Sequence, residues 1–457
     1  MTRMHIRELP YTEDSETLMR ALSGFEMPAY LDSAKHKGPN AGRDILAAAP
    51  VAYLSIDDGV IRCSQNAESF VDGSLNSSTI FNAIRELRDY FLPVSDQMDE
   101  SQHGNDYFGA VIGYLGYPSL SGKSEFRLID AFVGVYAWTL VVDHQRRTCS
   151  LRFHADCSVG FIEQVGGRLQ TALANNNDVQ AFHLETPIEN KSSYESYEKA
   201  FNKIKSLIEQ GDCYQINLTQ CFKARCSGEP LAGYLRLREA TTAPFSAFMH
   251  WGSGALLSLS PERFVSLRGK TVLTQPVKGT RPRGQSAQED ARLAQELAGS
   301  EKDTAENLMI VDLLRNDLGR VCETGSIKAN QLFTIESFSN VHHMVSAISG
   351  TLRQDMDALD LLESCYPGGS ITGAPKLSAM NIIRCVEQEP RRVYCGTVFC
   401  LGSAGNLDSS ITIRSLLWQA DELRCWAGGG IVADSDCEQE YQECFDKIGN
   451  IFKALER

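Results

Sequence analysis

A lysine set where a strand runs into a Gly-Thr turn is the first residue in this sequence equipped for chemistry. Gln275-Pro276-Val277-Lys278-Gly279-Thr280 follows two apolar stretches, residues 255–260 and 270–274, that read as strands. It leads into a basic, proline-broken loop, Arg281-Pro282-Arg283-Gly284. An amine walled by apolar residues has its ammonium form disfavoured and its free base made available as a nucleophile. A surface lysine whose stem lies along a strand end fits the same placement.

Carboxylates form the second group. Glu440, Glu443 and Lys447 sit at i, i+3 and i+7 of a C-terminal helical pattern, away from its apolar stripe, and Glu306 lies beside Leu308-Met309-Ile310-Val311 in another. Glutamates from two facing helices suit Mg²⁺, a hard ion that keeps waters and takes substrate oxygens. Two solvated helix faces with intrahelical ion pairs are the competing reading. Pro367-Gly368-Gly369-Ser370-Ile371-Thr372-Gly373-Ala374-Pro375-Lys376 leads into a helix and resembles an anion site at a helix N-terminus, or else a tight turn. Ala427-Gly428-Gly429-Gly430 offers a second bare backbone surface. Arg414 alternates with Ile411 and Ile413 and is placed to bind a carboxylate bidentately.

Strands and helices must carry these groups. A helix is expected over 78–92, where Ile80, Ile84, Leu87 and Phe91 keep a helical spacing, with close backbone packing over the glycine-rich run 108–117. Residues 133–142 and 149–153 flank Asp143-His144-Gln145-Arg146-Arg147 as a hairpin. Ser192 and Glu195 read as a capping box for a helix whose face is Tyr197, Phe201, Ile204 and Ile208 and whose end is Gly211. Strands follow over 214–222, 245–251 and 411–417, and helices over 288–297, 304–314 and 436–455. The elements interleave without a regular βαβ period, so the fold class is α+β, built on sheets. The polar stretch 175–191 is the candidate boundary between an N-terminal region, 1–176, and a second region, 190–457.

Composition narrows the setting. The chain has 457 residues, 43% hydrophobic and 22% charged, as expected of a globular protein with a sizeable core. A net charge of −14 opposes a nucleic-acid partner. No apolar run approaches a membrane span, and the N-terminus lacks a hydrophobic signal core, so the expectation is a cytoplasmic protein whose 14 cysteines are reduced. Cys395 and Cys400 are too isolated to suggest zinc, and Cys365 reads as core.

Taken in order, several segments resemble the chorismate-utilising enzymes. They are Ser258-Leu259-Ser260-Pro261-Glu262-Arg263-Phe264, the Lys278 segment, Ala305-Glu306-Asn307-Leu308, His342-His343-Met344-Val345-Ser346, the loop from Gly369 to Lys376, Arg414, and the glycine-rich tail with Glu440-Tyr441-Gln442-Glu443. The likeness is dense from about residue 193 onward and looser before, through Leu31-Asp32-Ser33 and residues 138–143. Lysine at position 278, where anthranilate and isochorismate synthases usually carry alanine, and Cys213-Tyr214-Gln215-Ile216-Asn217-Leu218 place it nearest the aminodeoxychorismate synthase component I branch.

That resemblance implies a two-domain α/β sandwich around two large antiparallel sheets, with the site in the cleft between them. It implies that Glu306 and Glu443, with Glu440, hold Mg²⁺ on the ring carboxylate of chorismate. Gly279, Thr280, Arg414, Gly369, Ser370, Ile371, Thr372, Gly428 and Gly429 would contact substrate. Lys278 would attack C2 as the C4 hydroxyl leaves, with Glu262 as general acid and His343 nearby. Ammonia would then add at C4 and expel the lysine, giving 4-amino-4-deoxychorismate for 4-aminobenzoate and folate synthesis. No Gly-x-Cys-x-Gly or Gly-x-Ser-x-Gly elbow is present, so ammonia would come from solution or a glutaminase subunit, with a heterodimer expected. Some family members hold tryptophan near the position of Leu31 and Ser33. The alternatives are anthranilate synthase component I, which Lys278 opposes, and a non-catalytic tryptophan-binding regulatory subunit, which the retained Glu262, Lys278, Glu306, His343 and Glu443 oppose.

Overall fold

Neighbouring residues on the central strands alternate between two apolar environments, so a sheet here needs a packed layer on each face. Ala29, Ile45, Ala247, Leu256 and Leu417 join one buried cluster, while Tyr30, Leu46, Phe248, Leu257 and Leu416 join another. The computed structural model describes residues 5–456 apart from 34–41, 72–76, 95–106, 122–124, 129, 176–178 and 339–340. Among the described residues it contains two large sheets, of 13 and 11 strands, whose recorded strand pairs are antiparallel. In the larger, the central path runs Ala29–Asp32, Phe245–His250, Gly254–Ser260, Ser415–Gln419, Glu422–Ile431 and Gln215–Ser227. In the smaller it runs Val277–Pro282, Val341–Thr351, Thr271–Thr274, Arg263–Arg268, Leu407–Ile411, Thr397–Gly402 and Ala110–Leu115.

Helices Glu16–Leu22, Val159–Asn175, Pro230–Ala240 and Cys437–Leu455 close the second cluster over the larger sheet. The first cluster takes that sheet's other face together with the smaller sheet and the helices Ser77–Phe91, Glu301–Leu318 and Ala358–Cys365. Strands from both sequence regions, 1–176 and 190–457, enter both sheets. Residues 176–178, at the expected boundary, lie outside the described residues. No described helix is long and apolar enough to cross a membrane.

Three local expectations change. The stretch 133–142 is two strands, Ala131–Tyr136 in the smaller sheet and Trp138–Asp143 in the larger, and only the second forms the hairpin with Thr148–Phe153. Residues 411–417 likewise divide between Leu407–Ile411 and Ser415–Gln419, strands of different sheets. A continuous apolar run cannot reveal such a crossing, because both strands are buried. The helix at 194–209 is capped by Ser193, whose Oγ accepts from Ser196 N at 3.2 Å. Ser192 is drawn away because its own N–H donates to Asn190 Oδ1 at 2.9 Å, and Glu195 pairs with Lys199 at 2.7 Å.

Short links carry the chain from one sheet to the other, and two of them matter for chemistry. Residues 261–262 join Gly254–Ser260 to Arg263–Arg268, and residues 412–414 join Leu407–Ile411 to Ser415–Gln419. The links are stitched together: Ile411 N donates to Glu262 O at 3.2 Å, Leu259 N to Arg414 O at 3.1 Å, and Ser260 Oγ to Ile411 O at 2.6 Å.

Candidate active site

Lys278 lies on the edge strand Val277–Pro282, where the pairing slips by one residue. Lys278 stands opposite Met344 and Thr280 opposite His343, so Gly279 is the extra residue of a bulge. Its φ of 75° is left-handed, and a Cβ there would come 2.8 Å from Leu297 Cδ1 and 2.9 Å from Asp303 Cγ, so only glycine fits. The bulge leaves Lys278 half-buried, with Nζ donating to the Ser370 carbonyl at 3.1 Å. Burial pushes its pKa below the ordinary lysine value; Glu306 and then Glu262 oppose the shift, while Lys447 adds to it.

Glu262 and Arg414 occupy the two stitched links. Glu262 is 4% exposed and accepts from Ser370 Oγ at 3.1 Å. Burial raises its pKa to about 7, against the pull of Lys278 and the Ser370 hydroxyl. A carboxyl so poised donates or accepts a proton near neutral pH. Ser370 thus touches both groups, through its carbonyl and its hydroxyl. Arg414 has a φ of 51°, so it sits in a left-handed turn and not in the alternating strand its neighbours suggested. Burial lowers its pKa, and among the described residues its guanidinium has no hydrogen bond or ion pair. A cation held this way favours an incoming carboxylate. His343 is buried, shares a hydrogen bond at 2.9 Å between Nδ1 and Thr280 Oγ1, and is pushed down to about 4 by burial and Arg414. It is a neutral imidazole at pH 7.

The three glutamates differ. Glu306, half-buried on Glu301–Leu318, has its pKa raised by burial and makes no hydrogen bond or ion pair among the described residues. Glu440 is buried, raised by desolvation, and accepts from Ser435 Oγ at 2.8 Å. Burial works to raise Glu443 too, but Lys447, 2.6 Å away, together with Lys302 and Lys278, outweighs it and the pKa falls. No three His, Cys, Asp or Glu residues stand at metal-ligating spacing among the described residues, so the expected trio is not preassembled. The donor set nevertheless fits Mg²⁺. Its oxygens are hard, Glu306 is half-buried without a hydrogen-bond or ion-pair partner among the described residues, and this ion needs only one or two protein carboxylates beside water and substrate. Lys302, unassigned from sequence, favours the charged form of all three, against the burial that raises Glu306 and Glu440.

The glycine stretches are more filled than their sequence suggested. Gly428, Gly429 and Gly430 lie within Glu422–Ile431, opposite Thr219, Leu218 and Asn217. A Cβ at Gly429 would meet Glu440 Oε2 at 2.8 Å, and one at Gly430 would meet Gln215 Nε2 at 2.6 Å. Lys447 Nζ donates to Gly428 O at 3.0 Å. Gln215 is fully buried with neither end of its amide partnered. Its position in the Cys213–Leu218 motif was the available signal. Gly369, Ser370 and Ile371 form one 3₁₀ turn, and Gly373–Ala374 then pairs with Gln215 and Ile216 before the helix Lys376–Val386 begins. Residues 369–372 are therefore not at a helix N-terminus as expected. Glycine is needed at 369 because a Cβ would come 2.2 Å from Leu313 Cδ2.

Leu31 and Ser33 stand elsewhere. Leu31 lines a cavity of about 310 Å³ between the sheets, with Asp32, Arg43, Tyr107, Phe245 and Asp408. Ser33 Oγ donates to Asp44 Oδ1 at 2.9 Å. The cavity and the charged cleft are thus different places.

The chain is 39% identical over 452 residues, 97% of its length and 96% of the relative's, to aminodeoxychorismate synthase component 1 of Escherichia coli (strain K12). It is 45% identical to the protein of that name from Klebsiella aerogenes, covering 77% of this chain and 78% of that one. Anthranilate synthase component I from Streptococcus pneumoniae TIGR4 superposes with a TM-score of 0.73 at 27% identity, over 91% of this chain and 93% of that one. MenF, the menaquinone-specific isochorismate synthase of Escherichia coli, shares the fold, with a TM-score of 0.72 at 16% identity over 100% of this chain and 95% of that one. With residues 45–453 matching the model for chorismate binding enzymes, the chain belongs to that family.

Proposed function

We infer that this chain aminates chorismate to 4-amino-4-deoxychorismate, in the route to 4-aminobenzoate and folate. The observation that carries this reading is Lys278, a lysine with lowered pKa joined through Ser370 to a carboxyl poised near 7. Its relatives named aminodeoxychorismate synthase component 1 support the same substrate.

The free amine of Lys278 forms a bond to ring carbon C2, both ring double bonds shift round the ring, and the C4 oxygen departs with a proton from Glu262 as water. Ammonia then bonds to C4, both double bonds shift back, and Lys278 leaves C2 as an amine with a proton from the added nitrogen, so chorismate and ammonia give product and water. Arg414 holds a substrate carboxylate, with Gly279, Thr280, Gly428, Gly429 and the 369–372 turn shaping the cleft. Neutral His343 supplies a hydrogen-bonding group without adding charge. Mg²⁺, held by Glu306 and Glu443 with Glu440 alongside, would neutralise the ring carboxylate. Arg414, Lys302 and Lys447 supply local positive charge for a dianion in a chain of net charge −14.

Ammonia would be delivered by a glutaminase subunit, a reading supported by the "component 1" of the relatives' names. The 310 Å³ cavity beside Leu31, close to Ser33, would hold tryptophan. Incubating the protein with chorismate, Mg²⁺ and ammonium salt and identifying the product tests the function. 4-Amino-4-deoxychorismate is the expected product, and anthranilate would move the assignment to the ortho chemistry.

A further inference from the structure

Arg391 was assigned no role by the sequence, yet it ties together the walls of the cleft. Its guanidinium is 3% exposed and forks onto Glu387, with Nε and Nη2 at 2.9 and 2.7 Å from the carboxylate oxygens. Nη1 donates to the Ile371 carbonyl at 2.9 Å, and Nη2 also donates to the carbonyl of Asn217. Tyr117 covers it, with Cζ 4.7 Å from the ring centroid. Glu387 in turn accepts from Thr219 N at 3.0 Å. Asn217 N donates to Thr372 O at 3.0 Å, and the strand bearing Asn217 and Thr219 pairs with the glycine strand at Gly430 and Gly428.

A buried ion pair seldom adds net stability over an apolar replacement, so its geometry is the more telling property. A planar guanidinium fixes several acceptors at once, which an ammonium cannot do. Here the acceptors lie one residue from Ser370 and on the strand facing the glycines. We propose that the Glu387–Arg391 pair is a positioning clamp for the amination: it fixes the Ile371 carbonyl, and through it the Ser370 bridge that joins Lys278 to Glu262. The proposal rests on the functional reading above. It adds that the bridge is held from behind by a pair that never touches substrate.

The test is Arg391→Lys, with Ser370→Ala and the double variant, assayed with chorismate, Mg²⁺ and ammonium salt. Arg391→Lys keeps the charge but loses the fork. It should lower kcat by on the order of 10- to 100-fold, the scale of a small misplacement of reacting groups, with KM for chorismate changed far less. The alkaline limb of the pH profile should move upward, because the Ser370 hydroxyl no longer favours the Glu262 carboxylate. Ser370→Ala should move it the same way, and the double variant should be no worse than the poorer single, since both remove one device. Glu387→Gln, which keeps size and an acceptor for Thr219 N, gives the same reading if Arg391→Lys does not fold. An unmoved limb, or losses that multiply in the double variant, would overturn the clamp and leave a purely structural pair. Absence of turnover in the unaltered protein would sink the functional reading and the clamp with it. Turnover there with additive variants sinks the clamp alone.

Discussion

Two hollows of the same sandwich treat charge in opposite ways. Around the inter-sheet cavity every principal charge is matched: Arg263 lies 2.9 Å and Arg268 3.6 Å from Asp408, Arg43 lies 2.9 Å from Asp143, and Asp32 is forked by Arg238 and takes the Tyr234 hydroxyl at 3.1 Å. In the cleft, Lys278 makes no ion pair, and Arg414 and Glu306 have neither ion pair nor hydrogen bond among the described residues. Matched charges leave a cavity whose selectivity comes from shape and a few polar atoms. Unmatched, half-buried charges keep the shifted pKa values that chemistry uses, and they retain their attraction for a charged substrate.

Removing the central unmatched charge should have the largest effect. Lys278→Ala is expected to cut para-amination by on the order of 10³-fold or more, as loss of a covalent nucleophile does, while Mg²⁺ and chorismate still bind. With ammonia withheld, the unaltered chain should gain the mass of a dehydrated chorismate on the peptide containing Lys278, and the variant should not. Formation of 4-amino-4-deoxychorismate by Lys278→Ala at the original rate would show that lysine is not the nucleophile. Next comes Glu306→Gln. Losing a metal oxygen's charge should lower Mg²⁺-dependent turnover by on the order of 100-fold. Burial and Glu443 already disfavour the Glu306 carboxylate, so the melting temperature should hold or rise slightly. A variant that keeps its Mg²⁺ dependence removes Glu306 from the metal site.

The third effect is on pH. Glu262, raised to about 7, acts as an acid only while protonated, so its contribution declines as pH rises through 7. Lys278 needs its free amine, whose fraction grows with pH and does so earlier than for an ordinary lysine because its pKa is lowered. At saturating free ammonia the rate should trace a bell, and Glu262→Gln should erase its alkaline limb along with most of the activity. A limb near 7 that survives in Glu262→Gln belongs to another group.

The residues of this cleft were legible in the sequence to the extent that their types alone restrict the chemistry. A lysine before Gly-Thr, glutamates on two helical patterns and an arginine among isoleucines could be named without a fold. Their setting was not. The bulge at Gly279 shows only in the pairing with Val341–Thr351, and the link that carries Arg414 hides inside a run that reads as one unbroken strand, while nothing local shows that the chain changes sheet at Glu262. Lys302 and Gln215 acquire meaning only from what lies across from them, three carboxylates in one case and a glycine strand in the other. The α+β class and the long helices followed from periodicity, whereas interleaving the two sequence regions in both sheets is a long-range pairing that no local pattern encodes.

The smallest expected effect tests whether the two hollows are independent. If tryptophan occupies the matched-charge cavity, it should stabilise the protein in proportion to the logarithm of its concentration, by about 2.7 kcal/mol at 100 times its dissociation constant. In a chain of this size that corresponds to a rise of only a few degrees in melting temperature. Ala247, 1% exposed on a central strand, lines this cavity, and Ala247→Leu would place three more carbons there without adding a polar atom. That variant should lose the tryptophan-dependent rise in melting temperature. Its turnover with ammonia should stay within about twofold, because none of Lys278, Glu262, Glu306, His343 and Arg414 is among the cavity's lining residues. The paired arginines and aspartates, being matched already, give the substitution no charge to disturb. If filling the cavity also abolishes amination, the two hollows share a strain path through the sandwich, and their different treatment of charge does not make them separate devices.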